Sequence, residues 1–271
     1  MSTLTSTTST TRPTLGASDV GKSYFETDSN KILVWDGSAW NEWNKDLIVD
    51  PNFNNLKSVQ LDGSNDHVLL PSNSSYGFGT GDFSIICWFN ADAVSTFSAL
   101  YDFRTSTSST HPSFFIGLNN NLKYYFNTGN TQINYNTTPS TSTWFMSSVV
   151  RSSGTTTVYQ NQTQVANGSN THSYGTPTNG IRIGVNAANS TAFDGYVDEF
   201  AVWDKALTAT QISDIYNGGN PTNLDDLGLS NQPLTWLRMG DNDSGTTVTD
   251  HGSLSNDASL QNGAAFSSTV P

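Results

Sequence analysis

The stretch from Phe193 to Gly219 (FDGYVDEFAVWDKALTATQISDIYNGG) constrains the fold of this chain more than any other. Its first part reads as a strand. It passes at once into one short helix that carries every local signal. Thr208 stands at the N-cap with Gln211 three residues later, a capping box, and Leu207 and Ile212 are placed to staple the entry. Ile212, Ile215 and Tyr216 give one apolar face, and Gly218 and Gly219 stop the helix. A helix of about eight to ten residues is marginal in isolation, so this one must pack on a sheet. Everything else in the chain reads as strand and turn, which predicts an all-β fold with one short helix.

The other apolar runs have strand lengths. Residues 58–71 read as two strands about an Asp62-Gly63 turn, and Gly81 to Phe89 (GDFSIICWF) as a core strand. Further strands are expected at 97–103, 113–118, 122–127, 131–135, 144–151, 155–160, 163–166, 180–185 and 195–203. A strand, an acidic turn and a second strand follow within 233–252, and a last strand within 258–266. Many short strands joined by Gly, Ser and Asn turns predict a β-sandwich. Trp88, Trp144 and Trp203 lie inside apolar strand patterns and are assigned to the core. So is Cys87, the single cysteine, which leaves no intrachain disulfide.

Organisation along the chain changes near residue 58. Residues 1–11 are Ser and Thr apart from Met1 and Leu4 and are expected to form a disordered or extended arm. Residues 12–45 read as a β-hairpin unit, too small to bury a core alone. Its aromatic residues Tyr24, Phe25, Trp35, Trp40 and Trp43 therefore need a partner surface, and they mark an attachment or oligomerisation element. Residues 46–57 read as a linker, and 58–271 as the main domain.

Charged residues make up only 13% of the chain, about half the usual ~25% share. The net charge is −12 with 11 Lys and Arg, which gives no electrostatic route to a phosphate backbone and excludes nucleic-acid binding. No apolar run approaches the roughly 20 residues that span a bilayer. Met1 to Thr11 lacks the basic and apolar regions of a secretory signal. A neutral hydrogen-bonding surface without an export signal fits a phage virion protein, made in the host cytoplasm and released by lysis.

Four pieces of the chain, in order, resemble the laminin G-like, concanavalin A-like jelly-roll family, which is related to the pentraxins. They are Val59 to Val68, Gly81 to Phe89, the hairpin from Trp144 to Val165, and Phe193 to Asn217, whose DGYVDEFAVWDKALTATQISDIY pattern is the most specific. Leu234 to Phe266 resembles the segment that usually opens such domains. Here it would close one, as a permuted strand pair (233–266) returning beside the first strands. Residues 12–43 resemble an element found near the start of phage virion proteins. The resemblance implies a concanavalin A-like jelly roll and calcium near the positions of Asp62 and Asp198.

Acidic residues are absent from 103 to 193 and cluster at 62–66, 194–204, 225–226 and 241–257. In the implied fold the first, second and last clusters converge on one sheet edge. Carboxylates are hard oxygen ligands of the kind Ca²⁺ takes, so Asp62, Asp198, Asp66, Asp194 and Asp243 are the candidate metal ligands. The competing reading makes Asp62 and Asp194 ordinary Asp-Gly turns and Asp198 a cap on backbone N–H groups. A glycosidase needs two carboxylates across a cleft. Asp198 and Glu199 are expected on opposite sides of their strand, so hydrolysis is not expected. His67, His111, His172 and His251 show no zinc spacing.

Tyr124, Tyr135 and Tyr174 fall in the carboxylate-free, Asn- and Thr-rich middle. Exposed rings stack on sugars and amides bond hydroxyls, so these three are the candidate glycan contacts, with core burial as the alternative. The expected function is a non-enzymatic virion surface protein: a capsid decoration, head fibre or short tail fibre with a lectin-like, glycan-binding domain. Its partners would be other virion proteins and copies of itself, with a trimer as the working stoichiometry. The alternative is a free carbohydrate-binding lectin module.

Overall fold

The computed structural model describes residues 5–19, 22–28, 31–35, 37–42, 53–93, 98–106, 111–118, 122–127, 132–135, 139–227 and 232–271. The chain divides into two units, Met1–Phe53 and Asn54–Pro271.

In the first unit, β1 (Thr5–Thr7), β2 (Ser23–Glu26), β3 (Lys31–Trp35) and β4 (Trp40–Glu42) form one sheet in that order. The expected hairpin is therefore the centre of a four-stranded sheet. Residues 5–7 of the N-terminal arm are its edge strand, parallel to β2. The rings of Tyr24 and Trp35 both meet Trp40 edge-on, at 5.3 and 5.5 Å between centroids. Trp35 Nε1 donates to the Gly16 carbonyl at 3.0 Å. All three rings are only half-buried within this unit. Phe25 lies in β2 with its side chain undescribed, and Trp43 lies outside the described residues. Glu26 is buried and paired with Arg12 Nε at 2.6 Å.

The second unit begins with β5 (Ser58–Asp62), β6 (His67–Leu70), β7 (Phe83–Ala91), β8 (Ser98–Asp102), β9 (Ser113–Leu118), β10 (Leu122–Asn127) and β11 (Gln132–Tyr135). It continues with β12 (Trp144–Ser152), β13 (Thr155–Gln160), β14 (Thr163–Ser169), β15 (Ile181–Ile183) and β16 (Asp194–Trp203). The helix α1 (Ala209–Tyr216) follows, then β17 (Thr235–Leu237), β18 (Thr247–Val248), β19 (Ala258–Gln261) and β20 (Ala265–Ser267). One sheet runs β14-β13-β12-β7-β16-β5-β20, with β17 added to β16. The other runs β11-β10-β9-β8-β15-β6-β19-β18. The result is the concanavalin A-like jelly-roll sandwich with one short helix.

Alternation along the strands builds the core. Phe83, Ile85, Cys87 and Phe89 of β7 point inward with Val59 and Leu61 of β5, and meet Tyr101, Phe114 and Ile183 of the facing sheet. The C-terminal segment serves both sheets, since β19 pairs with β6 and β20 with β5. Ser58 Oγ donates to the Thr269 carbonyl at 2.6 Å, which ties the two ends of this unit side by side.

The helix has both halves of its capping box: Thr208 Oγ1 accepts from Gln211 N–H at 3.2 Å, and Thr208 N–H donates to Gln211 Oε1 at 2.8 Å. It ends on Asn217, which takes the left-handed conformation (φ 45°) one residue before the glycines. Ile212 and Ile215 are buried, and Tyr216 stacks on Trp88 at 5.6 Å. The helix thus covers part of the outer face of the β7–β16 sheet.

Candidate functional site

Strand β16 organises the chemistry of this face. Its outward positions are Asp194, Tyr196 and Asp198, then Ala201 and Trp203; Asp194 has its register partner on β5, Tyr196 on both β5 and β7, and the other three on β7. Gly195 lets β16 approach β7 closely. Its φ is +141°, and any Cβ there would lie 2.1 Å from the Asn90 carbonyl oxygen. Between Asp198 and Ala201 the register against β7 slips, a β-bulge, with Glu199 in the left-handed region at φ 46°. A non-glycine residue held there stores about 1–2 kcal/mol of strain. At the bulge β16 also exchanges neighbours, from β5 (through Val197) to β17 (from Phe200).

The bulge overturns one expectation. Asp198 and Glu199 do not face opposite sides. Asp198 pairs with the outward Trp88, and Glu199 borders a small cavity under α1 together with Trp88 and Ile215. Both carboxyls are buried. Asp198 Oδ2 accepts from Asn55 Nδ2 at 2.9 Å, and Asp198 Oδ1 accepts from Glu199 N–H at 2.8 Å. Glu199 accepts a short hydrogen bond from Trp236 Nε1, and Arg238 Nε approaches its other oxygen at 3.6 Å. Arg238 Nη2 also bonds Asp241 Oδ2 at 2.7 Å and the Asn54 carbonyl at 2.8 Å. Asp241 Oδ1 accepts from Leu56 N–H at 2.9 Å. Burial pushes Asp198 well above the ordinary carboxylate range, with Glu199 adding to the push. Burial likewise raises Glu199 to about 7, against the pull of Arg238 and Trp236.

Beyond the helix the same face is open. Trp144 of β12, Asn90 of β7, Tyr196 of β16 and Gln60 of β5 form one cross-strand row. Trp144 and Tyr196 are half-buried and Gln60 is exposed. One step further out lies an acidic row. Asp194 is the register partner of Asp62, and the Asp194 carbonyl accepts from Asp92 N–H at 3.0 Å. Burial raises the pKa of Asp194, and the charges of Asp92 and Asp62 raise it further. Asp66 follows on the β5–β6 turn, raised by burial and by Asp62, with Oδ1 buried and without a hydrogen-bond partner.

The five candidate metal ligands therefore do not share one site. Asp62 and Asp194 are register partners at the open rim, and Asp66 is buried on the neighbouring turn. Asp198 lies in the sealed cluster with both oxygens bonded. Asp243 bonds Thr249 N–H at 3.1 Å and adds its charge to Asp241. Asp62 does form its turn, accepting from Ser64 N–H at 2.9 Å. Among the described residues no three His, Cys, Asp or Glu side chains form a group able to hold a metal ion.

The glycan candidates fare differently again. Tyr174 is 1% exposed, its hydroxyl donates to Asn170 Oδ1 at 2.9 Å, and its ring lies 4.8 Å from the Arg151 guanidinium. It is a core residue, not a glycan contact. Tyr124 and Tyr135 are register partners on β10 and β11, and their side chains are outside the described structure. Both positions belong to the same alternate set as Phe114 and Ile133, which are core residues. Trp144, expected in the core, instead reaches the open face. Asn90, Asp92 and Arg238 carried no sequence signal of their own, because their importance comes from register, and Asp241 showed only as the first member of the 241–257 acidic cluster.

A family model for the concanavalin A-like lectin/glucanases superfamily matches residues 62–213. No curated protein matches the chain. Among solved structures, a candidate carbohydrate-binding protein from Bacteroides ovatus ATCC 8483 superposes with a TM-score of 0.62 at 16% identity, over 80% of this chain and 60% of that one. The chain thus spans about 60% of that protein's length. A pentraxin from Limulus polyphemus gives 0.45 at 14% identity, over 60% of this chain and 83% of that one. The CBM40 domain of the Ruminococcus gnavus IT-sialidase, bound to α2,3-sialyllactose, gives 0.46 at 8% identity, over 60% of this chain and 100% of that one.

Proposed function

The chain belongs to the concanavalin A-like lectin/glucanases superfamily, and from that premise we propose that it is a non-enzymatic carbohydrate-binding protein. One observation carries the reading. The helix covers only part of the β7–β16 face, and the part beyond it carries a tryptophan, a tyrosine, two amides and three carboxylates. Rings, amides and carboxylates are the groups that take sugar faces and hydroxyls. The acid pair at 198 and 199 is buried and tied to Asn55, Trp236 and Arg238, which argues against hydrolysis. Binding of the full chain to a glycan array tests the reading, and an array with no positive spot would end it.

In the fuller proposal the second unit is displayed on a phage particle. The first unit attaches it, as a homo-oligomer with a trimer as working stoichiometry. The rings of Tyr24, Trp35 and Trp40, only half-buried in a unit too small to form much core, support this part. Incorporation of the chain lacking residues 1–53 into particles would overturn the attachment role and leave a free lectin module.

A further inference from the structure

The row at the open half of the face has a particular shape. Trp144 and Tyr196 belong to strands two places apart, about 9.5 Å between backbones. Their ring centroids are only 6.5 Å apart, with planes inclined at 50°. The rings therefore lean toward each other over the residue between them, Asn90, and form a V with the Asn90 amide as its floor. Asn90 is 7% exposed, and its Oδ1 is buried without a hydrogen-bond partner. A buried acceptor left unpaired costs about 1–3 kcal/mol, so a donor arriving from outside is favoured. The mouth of the V is bordered on one side by Asp194 and Asp62, two residues along β16 and β5, and by Asp92, just past the end of β7. Carboxylates accept hydrogen bonds from hydroxyls and repel anions.

We infer that the V formed by Trp144 and Tyr196 over Asn90 is a binding site for a neutral sugar residue. The rings hold its apolar face, the Asn90 amide oxygen accepts one hydroxyl, and the Asp92–Asp194–Asp62 row accepts others and excludes uronic and sialic acids. This rests on the carbohydrate-binding reading above and names the contact surface and sugar class within it.

The test titrates the full chain with neutral oligosaccharides ending in hexoses or pentoses, and with matched oligosaccharides ending in uronic or sialic acid. Tryptophan fluorescence and calorimetry are the readouts. Neutral ligands are expected to bind and acidic ones to bind at least tenfold more weakly. Trp144→Ala and Tyr196→Ala should each weaken neutral binding at least tenfold, and Asn90→Leu about fivefold. Asp194→Asn should narrow the neutral-to-acidic ratio. Trp144→Phe, which keeps a ring and the fold, should bind more weakly than wild type but more tightly than Trp144→Ala. Neutral binding that survives in Trp144→Ala and Tyr196→Ala, with their melting temperatures held, would overturn the site while leaving the carbohydrate reading intact. Preference for acidic ligands would overturn the sugar class. No binding to either set by the wild-type chain would overturn both.

Discussion

Asp194 and Asp198 are four residues apart on one strand, yet they belong to different environments. Asp194 stands at the rim in a row with Asp62 and Asp92 and is half-buried. Asp198 is sealed beside Glu199, Asp241 and Arg238 under the residues that open the second unit. Inside, negative charge is managed by proton uptake and by one arginine. At the rim it is left standing. Only the uncompensated group has charge to offer a ligand, so two carboxylates with the same sequence spacing signal have different uses: one holds structure, the other selects.

The largest test of this contrast is Arg238→Met. It removes the cation that faces Glu199 and Asp241 and should destabilise the chain by about 3–5 kcal/mol, read as the urea midpoint. The same urea series on Asp92→Asn should show almost no change.

Second comes pH. The folded state holds a proton on Glu199 up to about pH 7. The unfolded chain releases it near the ordinary glutamate value. Stability from this group is therefore complete below that ordinary value and is lost as pH rises through about 7, a span worth about 3 kcal/mol. Melting in chelator should be higher at pH 5.5 than at pH 8, and Glu199→Gln should flatten the slope. A slope of opposite sign would break the assignment.

Third, Asn55→Ala takes the Nδ2 donor from Asp198 and should cost about 1–3 kcal/mol. The smallest effect is expected at the rim. Asp194→Asn relieves like-charge repulsion and should raise stability by under about 1 kcal/mol in chelator.

Much of this was legible in the sequence. The capping box at Thr208 and Gln211 is a local signal and is present atom for atom. Strands 113–118, 122–127 and 155–160 have the limits that their apolar runs predict. Two things were not legible. The bulge at Glu199 hides inside an unbroken strand pattern, because a left-handed glutamate leaves no composition cue. It turned two expected faces into one. The Trp144–Asn90–Tyr196 row joins residues 52–106 positions apart in the chain, and only the register of three strands brings them together. Tyr124 and Tyr135 share the parity of Ile133 and Phe114, and their side chains lie outside the described structure. For Tyr174 no periodic signal existed, because it lies outside the named strands in an isolated bridge to Gly79.

The hydrogen bond from Ser58 to Thr269, beside the β5–β20 pair, has an architectural consequence. Entry and exit of the second unit lie next to each other on one edge of one sheet. A domain with neighbouring ends can be spliced into a surface loop of another protein as a cassette, or closed on itself and reopened elsewhere, without unthreading its sheets.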